Sequence, residues 1–531
     1  MTTEAKRILI IDDDRLVLET LTKLFLHDSW QVDACANGEE GLEKVRSASY
    51  ECLLMDIRMP GMTGPQVLSK IRDLEHEKVI DPQKVIFMTG FSDEQAPIKA
   101  FGLGACQYVY KPLDARDLLQ KANACVAAKK ILDQYGALAE EDLSKELKQI
   151  RKLYDRESID RKADILAAQL HIKLKHIKGC TYDPRFFQGN IENPFGIIQI
   201  PLGVIGPITI KGKHARGDFM VPMATTEGAL LLTYDLGSRL CRMAEPIETE
   251  VVSKVVHISP MFPIKTNEDK QIAELLDREY ESLKAIAESG SSHTKLLGID
   301  RMRIGDNYVL KFKYDTMDAH GLNMINQASY NACKFIRSRL GFPFYHRSHY
   351  SGVKHHAALN ERAGYGRVVR ARAHLTSKAL AMLKVSAPQM KDFFDRCTEC
   401  GQAAGILSVN VHAANAITAI FMACGQDVAD LSSSHVCATS VQLADEGKGL
   451  IVECVLRNLL VATVGGGTGL GTQSECLNIM GCLGTGKSDQ FAEIVAATVL
   501  AGEFPTAAAV ISETYVDIHN KYGRNKAKLV P

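Results

Sequence analysis

With 531 residues, 46% of them hydrophobic, the chain is longer than one core usually serves, which disfavours a single-domain reading. Lys plus Arg equal Asp plus Glu at 63 each, so no global field holds nucleic acid or an anionic membrane, and neither is expected as a partner. Residues 1–6 are polar and run straight into an apolar stretch, leaving no signal-peptide region, so a cytoplasmic protein is expected.

Residues 1–125 alternate short apolar runs (8–11, 52–55, 85–88, 108–110) with amphipathic stretches, the pattern of a doubly wound parallel sheet. Function in such sheets gathers at the carboxyl ends of the strands. Polar residues follow the runs there: Asp12 and Asp13, Asp56, Thr89, and Lys111 ahead of Pro112. Three such acids suit one hard cation, Mg²⁺, which takes few carboxylates and keeps waters and phosphoryl oxygens. Asp56 can then become an aspartyl phosphate, with Lys111 neutralising the phosphoryl oxygens, Thr89 donating to one of them and Tyr108 following Thr89's loop. The strings IIDDD, LLMDIRMPGMTG, VIFMTG and YVYKP resemble those of response-regulator receiver domains over residues 6–125. The resemblance implies that Asp56 is the phosphoacceptor and that Asp12, Asp13 and Asp56 hold Mg²⁺ with the Arg58 carbonyl. It also implies a Thr89–Tyr108 switch beside Lys111, and a sensor histidine kinase or phosphotransfer protein as partner.

From about 126 to 178 the sequence turns charged and helical, with Leu143, Leu147, Ile150 and Tyr154 on one stripe and Leu166, Leu170, Leu174 and Ile177 on another. Gly179 is placed as a helix C-terminal residue. A connector helix is expected, with a dimerising coil as the alternative. Beyond 180 the chain is Gly-rich and apolar, interrupted by a polar segment at about 256–345 that predicts a helix over 268–289 and a strand over 308–314. This segment reads as an inserted α+β subdomain. The apolar stretch 491–501 is short for a bilayer and reads as a buried helix. The 14 cysteines form no framework, and the close pair Cys397 and Cys400 lacks a second pair, so reduced thiols are expected.

Four polar residues stand in apolar or Gly-rich surroundings: Glu227 in MATTEGALL, Lys354 in GVKHHAALN, Asp427 in ACGQDVAD, and His519. Two backbone-rich strings, DAHGLNM (318–324) and TVGGGTG (463–469), are able to approach a phosphate-bearing cofactor. With ENPFG, NVHAANAITAIFMACGQD and AEIVAATVLAGE, these motifs resemble 3-hydroxy-3-methylglutaryl-CoA reductase from about residue 157 to the end. The resemblance implies Glu227, Lys354, Asp427 and His519 as catalytic residues. It implies NADPH as cofactor, held by Asp318, Gly321, Asn323, Met324, Val464, Gly465, Gly466 and Gly467, with Lys295 a candidate near the ribose. It further implies acyl-CoA contacts from Glu192, Asn193, Lys254, Asn415 and Arg524, and active sites formed between subunits of a homodimer or higher homo-oligomer.

The Lys354 string departs from the family's, with Val353 and His355 replacing two substrate-contacting charges, and Lys254 stands where the family has a carboxylate-binding Arg. A reductase of a different acyl-CoA thioester, or a non-catalytic CoA- or nucleotide-sensing response regulator, therefore stays open beside an NADPH-dependent reductase making mevalonate. The string GCLGTGKS (481–488) fits a P-loop pattern formally, but a helix rather than a strand is predicted over 474–480 ahead of it, which argues against ATP. His412 reads as a packed, hydrogen-bonded residue, and His346, His349, His355 and His356 as an exposed loop rather than a metal site. The expected architecture is α/β: a doubly wound, flavodoxin-like receiver domain (1–125), a helical linker (126–156), and an α+β reductase-like large domain (157–531) with an inserted ferredoxin-like nucleotide-binding subdomain.

Overall fold

The computed structural model describes residues 6–77, 79–90, 105, 107–138 and 145–523. The chain divides into two compact units. One comprises Met1–Ser144, Ile258–Phe312 and Asn323–Ser348; the other comprises Lys145–His257, Lys313–Leu322 and His349–Pro531.

The first unit opens with strands β1 (Arg7–Ile11), β2 (Gln31–Cys35), β3 (Cys52–Asp56), β4 (Val85–Gly90) and β5 (Gln107–Lys111), and helices α1 (Arg15–His27), α2 (Gly38–Ser47), α3 (Gly64–His76) and α4 (Ala115–Leu138). The sheet is parallel in the order β2-β1-β3-β4-β5, the flavodoxin-like order of a doubly wound domain. Strands β1 and β3 are buried along nearly their whole length, as a sheet covered on both faces requires. Local caps fix where the helices begin. Asp14 accepts from the Leu16 and Val17 amides, Asn37 accepts from Glu40, and Thr63 forms a capping box with Gln66 behind Pro65. This topology delivers Asp12, Asp56, Thr89 and Lys111 to the carboxyl ends of four strands that are consecutive in the sheet.

The strands that follow are β6 (Leu202–Gly212), β7 (Arg216–Ala224), β8 (Ile247–Ile258), β9 (Met261–Pro263), β10 (Lys295–Ile304), β11 (Asn307–Asp315), β12 (Gly366–Leu375), β13 (Cys437–Ala444) and β14 (Gly449–Leu459). In the first unit, β9 pairs antiparallel with β11, and β10 also neighbours β11. Helices Asp269–Arg278, Tyr280–Glu288 and Leu322–Leu340 accompany them.

The second unit is built on a sheet in the order β7-β6-β8-β12-β14-β13, antiparallel except where β6 meets β8. Every second residue of the inner strands points into one core: Ile208 and Ile210 from β6, Val369, Ala371 and Ala373 from β12, Val452, Cys454 and Leu456 from β14. Helix Ser488–Ile511 packs on those strands and is buried at nearly every position up to Ala508. Apolar on all sides and long enough to span a bilayer, it is a core helix by its burial. Helix Leu230–Ala244 crosses it closely at Gly237, where an added Cβ would stand 1.7 Å from the Ala501 carbonyl oxygen.

Several sequence expectations change. The stretch 268–289 is two helices, broken at Glu279. The second stripe ends early: helix Arg156–Leu170 stops at His171, whose φ of 54° turns the chain, leaving Leu174, Ile177 and Gly179 beyond it. On the first stripe, Leu147 and Ile150 share helix Lys145–Ile150, Tyr154 follows it outside any helix, and Leu143 lies outside the described residues. Strand β2, whose burial is only partial, carries no apolar run and went unread.

Candidate active site

In the first unit, the β5 residue Lys111 places its ammonium 2.8 Å from Asp12 Oδ2 and 2.8 Å from Asp56 Oδ1. Asp56 Oδ2 accepts from the Arg58 amide at 3.0 Å. Burial raises the Asp56 carboxyl above its ordinary range and the charge of Asp12 adds to this, while the hydrogen bond and charge of Lys111 oppose it. Asp13 is exposed beside this cluster and Thr89 is buried in β4. Two buried carboxylates with a third at the rim form a donor set that fits a hard divalent cation.

In the second unit, the Lys354 ammonium lies 2.7 Å from Asp427 Oδ2. Burial alone would raise the Asp427 carboxyl, but the hydrogen bond and charge of Lys354, with the Ala429 amide, hold it below the usual carboxylate range. Lys354 sits at φ 58°, a left-handed conformation that non-glycine residues adopt sparingly and at a cost in backbone strain. Glu227 forms a second pair: its Oε2 accepts from Asn415 Nδ2 at 2.8 Å, on the wall of a cavity of about 190 Å³ lined also by Thr225, Leu230, Thr418 and Met422. His519 donates Nδ1–H to the Tyr515 carbonyl at 2.9 Å, which puts the ring's other nitrogen, Nε2, away from this bond. The C-terminal segment carrying His519 runs beside the Glu227 loop, since a Cβ on Gly228 would meet Gly523 Cα at 2.5 Å.

The two backbone-rich strings adjoin. The Thr463 amide donates to the Asp318 carbonyl at 3.0 Å, and Ala319 bridges Val464. The Asp318 carboxylate accepts from the Gly486 amide at 2.8 Å and from the Ser488 amide and hydroxyl at 3.2 and 2.6 Å. It therefore caps helix Ser488–Ile511 with the amides that a P-loop would turn to phosphate. Gly465 and Gly466, at φ 77° and 56°, have nothing within 4 Å of where a Cβ would stand. That open, side-chain-free turn fits the approach of a nucleotide's phosphates to backbone. Gly321 closes its own turn at φ 81°, while Asn323 and Met324 open helix Leu322–Leu340.

The remaining expected residues are dispersed. Glu192 and Asn193 lie on an exposed loop, Asn193 at φ 50°, and Lys295 is exposed at the start of β10. Among the described residues no hydrogen bond links Glu192, Asn193 or His519 to the Lys354 or Glu227 pairs. Lys254 in β8 stands between two carboxylates, 3.5 Å from Asp315 and 3.7 Å from Asp489. Arg524 lies outside the described residues. His412 bonds to Tyr234 and Thr506, and His356 bonds to Glu361 at 2.8 Å.

Sequence reasoning missed His320 and Asp430. His320 Nε2 bonds to Asp430 Oδ2, and polar atoms of His320, Asp427 and Asp430 lie within 4.8 Å of one another. Asp430 is fully buried, and its Oδ1 has no partner among the described residues. The available signal was spacing, since Asp430 follows Asp427 by one turn and its amide bonds to the Asp427 carbonyl.

Comparisons with known proteins match both parts of the chain. The family described as "Hydroxymethylglutaryl-coenzyme A reductase" matches residues 158–524, and "Response regulator receiver domain" matches residues 8–123. The 3-hydroxy-3-methylglutaryl-coenzyme A reductase of Methanothermobacter thermautotrophicus is 36% identical over 365 residues, covering 66% of this chain and 90% of the relative. That of Methanocaldococcus jannaschii is 32% identical over 407 residues, covering 74% and 100%. The class II reductase of Streptococcus pneumoniae, solved bound to NADPH in open conformations, superposes with a TM-score of 0.52 at 16% identity, covering 66% of this chain and 97% of that one. This chain therefore belongs to the hydroxymethylglutaryl-coenzyme A reductase family and carries a response-regulator receiver domain ahead of its reductase region.

Proposed function

We propose that the chain reduces 3-hydroxy-3-methylglutaryl-CoA to mevalonate and CoA with NADPH, and that phosphorylation of Asp56 controls this activity. The observation that carries the reading is the Lys354–Asp427 pair at 2.7 Å, in a chain that also presents Glu227 on a cavity wall. When bound, NADPH supplies hydride; the reduction takes two, and each puts negative charge on a carbonyl oxygen. Lys354 stabilises that oxyanion, and Asp427 orients Lys354 and holds its charge in place. Between the two hydride additions the carbon–sulfur bond breaks and CoA thiolate leaves, with His519 Nε2 giving it a proton. Glu227, held by Asn415, supplies a proton at the aldehyde stage. Gly465 and Gly466, with Val464, Gly467 and the Asp318–Met324 string, are assigned to the nucleotide. In the receiver, an Asp56 oxygen attacks the phosphorus of a phosphohistidine or small acyl phosphate, and the bond from phosphorus to the donor breaks with its electrons leaving on the donor. Asp12, Asp13 and the Arg58 carbonyl would hold Mg²⁺ there.

A second reading rests on Lys254. Its charge is shared between Asp315 and Asp489, and so is partly committed before any substrate carboxylate arrives. This favours an acyl-CoA lacking the distal carboxylate. NADPH oxidation followed by absorbance, with a panel of acyl-CoA thioesters and with or without a small phosphodonor and Mg²⁺, tests both readings. Turnover with the hydroxymethylglutaryl thioester that responds to the phosphodonor, and no longer responds in Asp56→Ala, supports the first. Turnover only with monocarboxylic thioesters replaces it with the second, and no turnover with any thioester rejects both.

A further inference from the structure

Within the first unit, the end of the receiver sheet meets the helix of the inserted segment. Tyr108 on β5 is only 5% exposed, and its hydroxyl lies 2.8 Å from Ser338 Oγ. Ser338 Oγ also bonds to the Phe335 carbonyl at 2.6 Å, so this hydroxyl links the phenol to the helix backbone. One turn back on the same helix face, Lys334 Nζ donates to the Ala105 carbonyl, just ahead of β5, at 2.9 Å in a buried contact. Arg339 reaches the Tyr110 hydroxyl at 3.4 Å while lying over the Phe335 ring and beside Glu279. Two charges and one hydroxyl of one helix thus read the position of β5 and of the residue ahead of it.

That helix, Leu322–Leu340, begins inside the DAHGLNM string, with Asn323 and Met324 in its first turn. Fifteen residues separate Asn323 from Ser338, about 22 Å of rigid helix. Across the β4–β5 ladder Thr89 is the register partner of Tyr110, and Phe87 of Tyr108. A phosphoryl group on Asp56 adds acceptor oxygens that draw on Lys111 and Thr89, the groups next to this edge.

We infer that the contact of Tyr108, Ala105 and Tyr110 with helix Leu322–Leu340 is a regulatory joint through which Asp56 phosphorylation sets the affinity of the nucleotide-binding string at the helix's far end. The inference rests on the proposed reading of the receiver and of that string, and it adds the route and the step controlled, which is cofactor binding. Coupling of this kind is reciprocal, so bound nucleotide must alter phosphorylation equally.

The test uses the full chain, as wild type, Tyr108→Phe, Ser338→Ala and the double variant. NADPH binding is followed by nucleotide fluorescence, with intact mass reporting phosphorylation from a small phosphodonor with Mg²⁺. The expected wild-type result is a change in Kd of roughly fivefold or more on phosphorylation. The change should collapse below about twofold in either single variant, with no further loss in the double, because both remove one contact. A wild-type response that persists in both single variants overturns the joint, as does a phosphorylated wild type whose Kd does not move; neither result touches the reductase reading. If NADPH does not bind, that reading fails instead, and hydrogen exchange along Leu322–Leu340 decides the joint. Protection that shifts on phosphorylation in the wild type but not in Tyr108→Phe upholds it, and an unchanged helix rejects it.

Discussion

The Lys354 ammonium and the Asp427 carboxylate meet at 2.7 Å, on a lysine whose backbone is itself in the left-handed region. The strained turn and the ion pair fix one positive charge in one place, which an oxyanion-forming reaction requires. Lys354→Ala is expected to lower kcat by about 10²–10³-fold, the usual cost of removing one oxyanion donor. Asp427→Asn should lower kcat less and leave nucleotide affinity unchanged. Steady-state kinetics with equilibrium NADPH binding checks both.

The same pair sets an acid dependence. Asp427's folded-state pKa lies below its ordinary value, so its contribution to stability is complete above the ordinary carboxylate range and disappears as pH falls through the depressed value. The melting-temperature gap between wild type and Asp427→Asn should therefore be constant near neutrality and close only in strong acid.

Asp430 is fully buried beside Asp427 and has His320 as its partner. Removing that partner leaves both oxygens of a buried carboxyl without a hydrogen bond, so His320→Ala should destabilise the protein by about 2 kcal/mol. The neutral pair His320→Gln with Asp430→Asn should recover most of the loss. Calorimetry on the single and double variants measures the difference.

Asp56 carries the opposite sign. Burial and Asp12 raise its pKa, so the folded receiver binds a proton more readily than the unfolded chain, and stability is lost as pH rises from the ordinary carboxylate value through the raised one. Asp56→Asn, neutral and of the same shape, should raise the receiver's melting temperature at neutral pH while abolishing phosphorylation. An unchanged or lower melting temperature would show that Lys111 outweighs the burial.

Gly466 offers a direct probe of the nucleotide assignment. An added Cβ meets nothing, so Gly466→Ala costs only the backbone strain of φ 56°, about 1 kcal/mol. The fold should survive while NADPH affinity falls tenfold or more, as read by nucleotide fluorescence.

Elements with a strong local pattern were legible in the sequence. The four apolar runs of the first 125 residues coincide with β1, β3, β4 and β5; β1, β3 and β4 lie inside the sheet, where strands covered on both faces are apolar throughout. The 308–314 alternation is β11, and the 491–501 run lies in helix Ser488–Ile511. What escaped depended on tertiary context. The break at Glu279 has no proline or glycine to mark it, and the turn at His171 takes positive φ without the glycine that usually signals one. The pairing of His320 with Asp430 became visible only once the chain brought two strings more than a hundred residues apart to one point. The pairing of Lys254 with Asp315 and Asp489 likewise crosses three separate segments.

Helix Ser488–Ile511 follows in sequence every strand it packs against. During synthesis, β6, β12 and β14 are made with their inner faces uncovered, and the reductase unit cannot close until the residues near 511 have emerged. Such late, long-range closure slows folding and leaves apolar sheet open to association in the interval. A chain released before this helix is complete would therefore be a source of aggregate, with an intact receiver domain at its front.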